Sequence, residues 1–223
     1  MENESLHILR NFSTIMQLLA AIIGSFFLHK YRDSFLKYFP LFLWITFLVE
    51  ISAYLVRKLD IMSNNVIIYN IYCVLAFLYL FNLYRISIND KSKKKILKIF
   101  SILYILVLII SGFYENYLTE PQTISYVFAE IILILGISFY LVEILKSEKA
   151  LYANKSLLFW ISLGLLLFSV GTIPFTIAMS YYLIEHGFNN MFAINYILII
   201  VQNLCFIIGF IRIDKKTNLS DTR

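Results

Sequence analysis

Long apolar stretches separated by short polar gaps run the length of this chain. Seven of them reach about 20 residues, the length at which a helix crosses a hydrocarbon core of roughly 30 Å. They span roughly 11–29, 38–56, 66–88, 96–114, 121–145, 157–184 and 191–213. Lipid offers no partner to open backbone groups, so each stretch is expected to be a helix, and none shows the ten-residue alternation of a membrane β-strand. The pattern predicts an all-α, polytopic membrane protein with a single seven-helix transmembrane domain.

The polar gaps set a direction. Lys30, Arg32 and Lys37 occupy the first gap, and Arg85, Lys91, Lys93, Lys94, Lys95 and Lys98 the third. Lys146, Lys149 and Lys155 follow in the fifth, and Arg212, Lys215, Lys216 and Arg223 in the tail. Of the 19 Lys and Arg, only Arg10, Arg57 and Lys58 fall on the other side. The excess of positive charge on cytoplasmic loops then predicts an N-terminus outside and a C-terminus in the cytoplasm. The outer gaps carry Glu115, Glu120 and Glu185. The basic loop Lys91–Lys98 reads first as a topology anchor, and second as a surface for anionic lipid or a protein partner. Glu2 and Glu4 precede the first arginine, unlike the positive start of a secretory signal, so the first stretch is expected to stay as a helix.

Composition agrees. The chain is 60% hydrophobic and 15% charged, against about 45–50% and about 25% in soluble domains. Its net charge of +5 lies in short gaps that topology already explains, so no nucleic-acid partner is expected. Cys73 and Cys205 sit inside apolar stretches and form no CxxC pair. The three histidines, His7, His29 and His186, share no helical spacing, so no metal site is expected. No nucleophile elbow or glycine-rich phosphate loop is present, and neither a catalytic residue nor a cofactor is assigned. Richness in Ile, Lys, Asn, Tyr and Phe suggests an AT-rich bacterial genome, and hence the bacterial cytoplasmic (inner) membrane.

Segments one to three and five to seven run in the same directions, with segment four as the inverting link. Trp44-Ile45-Thr46 opens the second and Trp160-Ile161-Ser162 the sixth. Asn65 and Asn70 open the third, and Asn190 and Asn195 open the seventh at the same spacing. Gly24 and Gly136 hold similar places in the first and fifth. The comparison predicts a 3+1+3 parallel repeat, a plan that places a transport site at the repeat interface. This layout resembles the SWEET sugar transporters, with their seven helices, outside N-terminus and 3+1+3 order. That family sets one asparagine per repeat in its pocket, so the resemblance implies Asn70 and Asn195 as pocket residues. It departs from the family in lacking a Pro-Gln hinge in the first repeat; Pro121-Gln122 falls at a helix start, where proline is common anyway. An opsin-type plan would run the same way, but the seventh segment has no lysine to hold retinal.

Polar residues within the spans carry the functional signal. A carboxylate at mid-membrane costs roughly 2.5–3.5 kcal/mol on insertion scales, so one that persists is expected to face the interior with a task. Glu50 lies near mid-depth in the second segment, on one face with Thr46, Tyr54 and Arg57. Glu130 lies at similar depth in the fifth, one turn from Tyr126. Ser162, Ser169, Thr172, Thr176 and Ser180 form a hydroxyl stripe on the sixth, while Gly164 and Gly171 mark a close-packing face. Pro174 frees the carbonyl of Val170 and is expected to act as a hinge. The expected pocket is lined by Gln17, Glu50, Tyr54, Asn70, Tyr126, Glu130, Thr172, Thr176, Asn195 and Gln202, and opens toward the outside. For the hydroxyls and amides the competing reading is helix-to-helix glue. Glu143, with Lys146 three residues on, reads as a surface pair. The pocket points first to a carrier or pore for a small polar solute or ion, next to a sensor or accessory subunit acting through its cytoplasmic loops, and last to an intramembrane lipid-acting enzyme.

Overall fold

Every apolar stretch forms a helix, because a helix satisfies its backbone within one segment. The computed structural model describes residues 2–61, 64–182 and 189–213, the side chains of 2, 3, 148, 149, 179–182 and 189–191 excepted. Expectations for Ser180 and Asn190 rest on excepted side chains, as does that for Lys149; Glu185, His186, Lys215, Lys216 and Arg223 lie outside the described residues. The long helices are α1 (Glu2–Phe26), α2 (Phe39–Lys58), α3 (Val66–Ser87), α4 (Lys91–Ser111), α5 (Thr123–Leu145), α6 (Leu157–Tyr182) and α7 (Asn189–Arg212). Three 3₁₀ segments, Phe27–Lys30, Phe35–Tyr38 and Glu148–Lys155, join them at one end, and no strand occurs among the described residues.

Two boundaries differ from the expected ones for local reasons. Helix α1 starts near the N-terminus, since nothing before Arg10 breaks a helix and acidic residues suit its first turns. Helix α4 begins at Lys91, because the Asp90 carboxylate accepts from the backbone N–H of Ser92 (2.8 Å) and Lys93 (3.3 Å). The basic cluster expected as a loop is therefore the first two turns of α4. Its lower end is fixed where Tyr117 donates to the Leu108 carbonyl at 2.8 Å.

Among the described residues six helices, all but α4, are long and apolar enough to cross a membrane. They suggest a multi-pass membrane protein. Helix α4 differs because any 18-residue stretch of it contains Lys94, Lys95 and Lys98.

The same six helices pack as a ring in the order α1, α2, α3, α5, α6, α7 and back to α1. Helix α4 packs outside it, against α3 and α5. It runs antiparallel along α3: Leu97 approaches Gly136 near Tyr84, the Tyr104 ring meets Phe77 and Phe81, and the turn after α4 reaches Asn70. At 1.5 Å per residue its 21 residues cover about 31 Å.

The end of the ring bearing the 3₁₀ segments is filled solid. Tyr31, Phe39, Phe210, Leu157, Leu158 and Ile137 are fully buried there. The Phe39 ring meets Phe206 edge-on at 5.2 Å, Tyr31 donates to the Gly24 carbonyl, and Tyr84 pairs with Ser162 at 2.9 Å. Helices α6 and α7 share an extensive contact, and Gly164 permits their close approach. A Cβ there would stand 2.9 Å from the Gln202 carbonyl oxygen, whereas the nearest atoms to one at Gly171 all belong to the Leu198 side chain. Gly164→Ala is thus expected to destabilise the protein by about 1–3 kcal/mol, read as a lowered Tm in detergent. Gly171→Ala should cost less, because a leucine rotates where a backbone cannot.

Candidate functional site

Inside the ring lies a chamber of about 200 Å³ to which all six ring helices contribute and α4 does not. Both membrane-depth carboxyls line it: Glu50 from α2 and Glu130 from α5. Gln17 of α1 and Gln202 of α7 line it too, as does Tyr126. Among the described residues no Lys, Arg or His does.

Glu130 is 1% exposed. The Thr172 hydroxyl, which back-bonds to the Phe168 carbonyl at 3.0 Å, stands 3.5 Å from its Oε1. The hydroxyls of Ser169 and Tyr126 lie beside the carboxyl. Among the described residues its Oε2 has no well-formed hydrogen bond, nor does the Ser169 hydroxyl beside it, nor Oε1 of Gln17, which is 6% exposed. Unpartnered buried acceptors are uncommon in folded proteins, and those of Glu130 and Gln17 face the same chamber. Glu50 is only half-buried, and its Oε2 accepts from the Tyr69 hydroxyl at 2.8 Å.

Two larger cavities share lining residues with the chamber and lie toward the end that carries the N-terminus. One, of about 670 Å³, lies between α3, α5, α6 and α7 and reaches Thr172, Thr176 and Asn195, with Glu115 and Glu120 at its rim. Partial burial pushes the Glu115 carboxyl up, and the N–H of Ile124, donating at 3.0 Å, pulls it back. The other, of about 880 Å³, lies between α1, α2, α3 and α7 and holds Arg10, Arg57, Tyr54 and Asn195. There the Arg10 guanidinium lies over the Tyr54 ring at 5.3 Å, and among the described residues neither arginine has an acidic partner. Tyr69 borders the chamber and both cavities. Sequence reasoning passed over it, since nothing separates one tyrosine among 16 from its fellows.

The other expected residues are placed as follows. Asn70 touches the α3/α5 cavity, but its amide holds the turn between α4 and α5. It donates to the carbonyls of Tyr117 (2.8 Å) and Glu120 (2.9 Å) and accepts from the N–H of Gln122 (3.2 Å). Asn195 borders both cavities. Pro174 is exposed, and α6 continues as helix on both sides of it. Lys91, Lys95 and Lys98 are exposed, while Lys93 and Lys94 are half-buried, Lys93 above the Phe139 ring. Glu143, expected to pair with Lys146, instead accepts from the backbone and side chain of Asn89 at 2.9 and 2.6 Å, because the tight α3–α4 turn presents both donors to it. Among the described residues no group of His, Cys, Asp and Glu is arranged to hold a metal ion.

In comparison with known proteins, no family model, curated protein or solved structure matches the chain.

Proposed function

We propose that the protein is a carrier for a small polar solute in a bacterial cytoplasmic membrane. The observation that carries this reading is the chamber: two carboxyl side chains from different helices line one internal space, reached from one end of a six-helix ring and closed at the other. A space sealed at one end suits a carrier caught facing one side better than an open pore.

The reading includes α4 as a seventh span, with its lysines at the cytoplasmic face, since an outside N-terminus and a cytoplasmic C-terminus require an odd number of crossings. The length of α4 and its course along α3 support this. The 3+1+3 repeat belongs to the same reading. Exchanging α1–α3 with α5–α7 maps each neighbouring pair in the ring onto another such pair. Gly24 of α1 faces the Phe210 ring of α7, and Gly136 of α5 faces Tyr84 of α3, the corresponding helix.

Solute flux into proteoliposomes tests the proposal. Uptake by the wild type that a filled-chamber variant, Ala76→Trp, abolishes supports it. No flux from folded protein across neutral, cationic and anionic solutes sinks it. A partner that co-purifies without flux would establish the sensor or accessory subunit instead, and lipid turnover the enzyme.

Tyr69 stands where the cavities meet the chamber, so its bond to Glu50 holds that passage. Tyr69→Phe removes the bond, worth about 1 kcal/mol, and should raise the rate at which a water-soluble thiol reagent labels Cys73 by about fivefold. Cys73 lines the chamber and the α3/α5 cavity, and Cys205→Ser leaves it as the sole cysteine. An unchanged rate would show that Tyr69 closes nothing.

A further inference from the structure

The chamber has a sharper chemistry than "small polar solute" conveys. Its unpartnered atoms, Glu130 Oε2 and Gln17 Oε1, are acceptors, and both side chains are more than nine-tenths buried. Two carboxyls border it and, among the described residues, no cationic side chain does. The rest of the wall mixes aliphatic and polar side chains, among them Gln202 and Asn203, with rings from Phe42, Tyr72, Phe77, Tyr126, Phe168 and Phe206. Carboxyl acceptors select against anions. Aromatic faces attract cations through the ring quadrupole, most strongly where water is excluded.

Resting on the carrier reading, we propose that the chamber binds a small organic cation, a primary or quaternary ammonium compound, with Glu130 as the charge partner and the aromatic rings around its apolar groups. A bare metal ion fits poorly, since calcium asks for six to eight oxygen ligands and magnesium for a near-ideal octahedron. Size agrees: about 200 Å³ exceeds the roughly 150 Å³ in which a buried cavity takes up benzene. The two approaches differ in the same sense. The α1/α2 cavity sets two arginines, Arg10 and Arg57, against one carboxyl, Glu50, and so disfavours a cation. The α3/α5 cavity carries Glu115 and Glu120 and, among the described residues, no Lys, Arg or His. It is the cation's entrance, and it leads past Tyr126 and Phe168, which border both spaces.

The test is binding, measured without flux. Full-length protein in lipid nanodiscs is titrated calorimetrically with choline, ethanolamine, glucose, acetate and sodium chloride. Choline or ethanolamine should bind, and Glu130→Gln should weaken that binding at least tenfold, with Glu130→Asp recovering part of it. In the Cys205→Ser background the bound cation should also protect Cys73 from N-ethylmaleimide, a readout that stands even if Glu130→Gln fails to fold. Binding of glucose or acetate with no response to the ammonium compounds overturns the inference, as does equal competition by sodium, or no binding of either ammonium compound to monodisperse wild-type protein. The carrier reading fails separately. Choline that binds and protects Cys73 but is never transported removes the carrier and leaves the cation site. Flux of a neutral solute without ammonium binding does the reverse.

Discussion

Glu130→Gln should abolish uptake, lowering the initial rate into proteoliposomes by about ten- to hundredfold. Glutamine preserves the shape and a hydrogen-bonding head but cannot carry charge. A hydrogen bond to a charged group contributes about 1.5–3 kcal/mol, and each 1.4 kcal/mol is a factor of ten. The site is 1% exposed, so water cannot stand in for the lost interaction. Glu50→Gln should do less, because Glu50 is half-buried and its Oε2 is already held by Tyr69. Radiolabelled uptake with matched protein orientation makes the comparison. Equal uptake by wild type and Glu130→Gln would remove the carboxyl from the mechanism, and a larger loss at Glu50 would reverse the assignment of roles.

The second large effect concerns stability. Asn70→Ala should lower stability by about 3 kcal/mol, the sum of three ordinary hydrogen bonds at about 1 kcal/mol each. Asn70 spends both sides of its amide on the turn between α4 and α5, and Gln122 returns a bond from its side-chain amide to the Asn70 carbonyl at 3.0 Å. The turn ties α4, which lies outside the ring, to α3 and α5. Losing the bonds should therefore expose residues 112–122 to protease before the ring unfolds. Asn65→Ala is the natural comparison: Asn65 makes one bond, at 3.3 Å, to the Ala53 carbonyl, and should cost no more than about 1 kcal/mol. Thermal unfolding in detergent and limited proteolysis measure both. Equal costs would mean that the turn holds nothing.

The two asparagines show where sequence reading stops. Asn70 and Asn195 hold equivalent places in the expected repeat, and the resemblance of layout gave them one role. In the structure Asn195 borders open space, while Asn70 is drawn into a turn 47 residues away. Spacing along a helix tells which face a residue occupies and nothing about a loop returning from another part of the chain. The Lys91–Lys98 cluster fails for a local reason. Its charges read as a loop, and one aspartate cap makes them the first turns of a helix.

Helical class was legible from residue order alone, as were six of the seven expected stretches as helices long and apolar enough to cross a membrane. Each follows from hydrophobicity and 3.6-residue periodicity, which are properties of a segment and its solvent rather than of its neighbours. Which helices close the ring, why α4 stands outside it, and that Glu50 and Glu130 line one chamber, with Tyr69 bordering it and two further cavities, were decided only in three dimensions. Those features depend on close contacts between distant segments, such as α6 on α7 at Gly164, and helix contacts of that kind turn on the absence of single side chains.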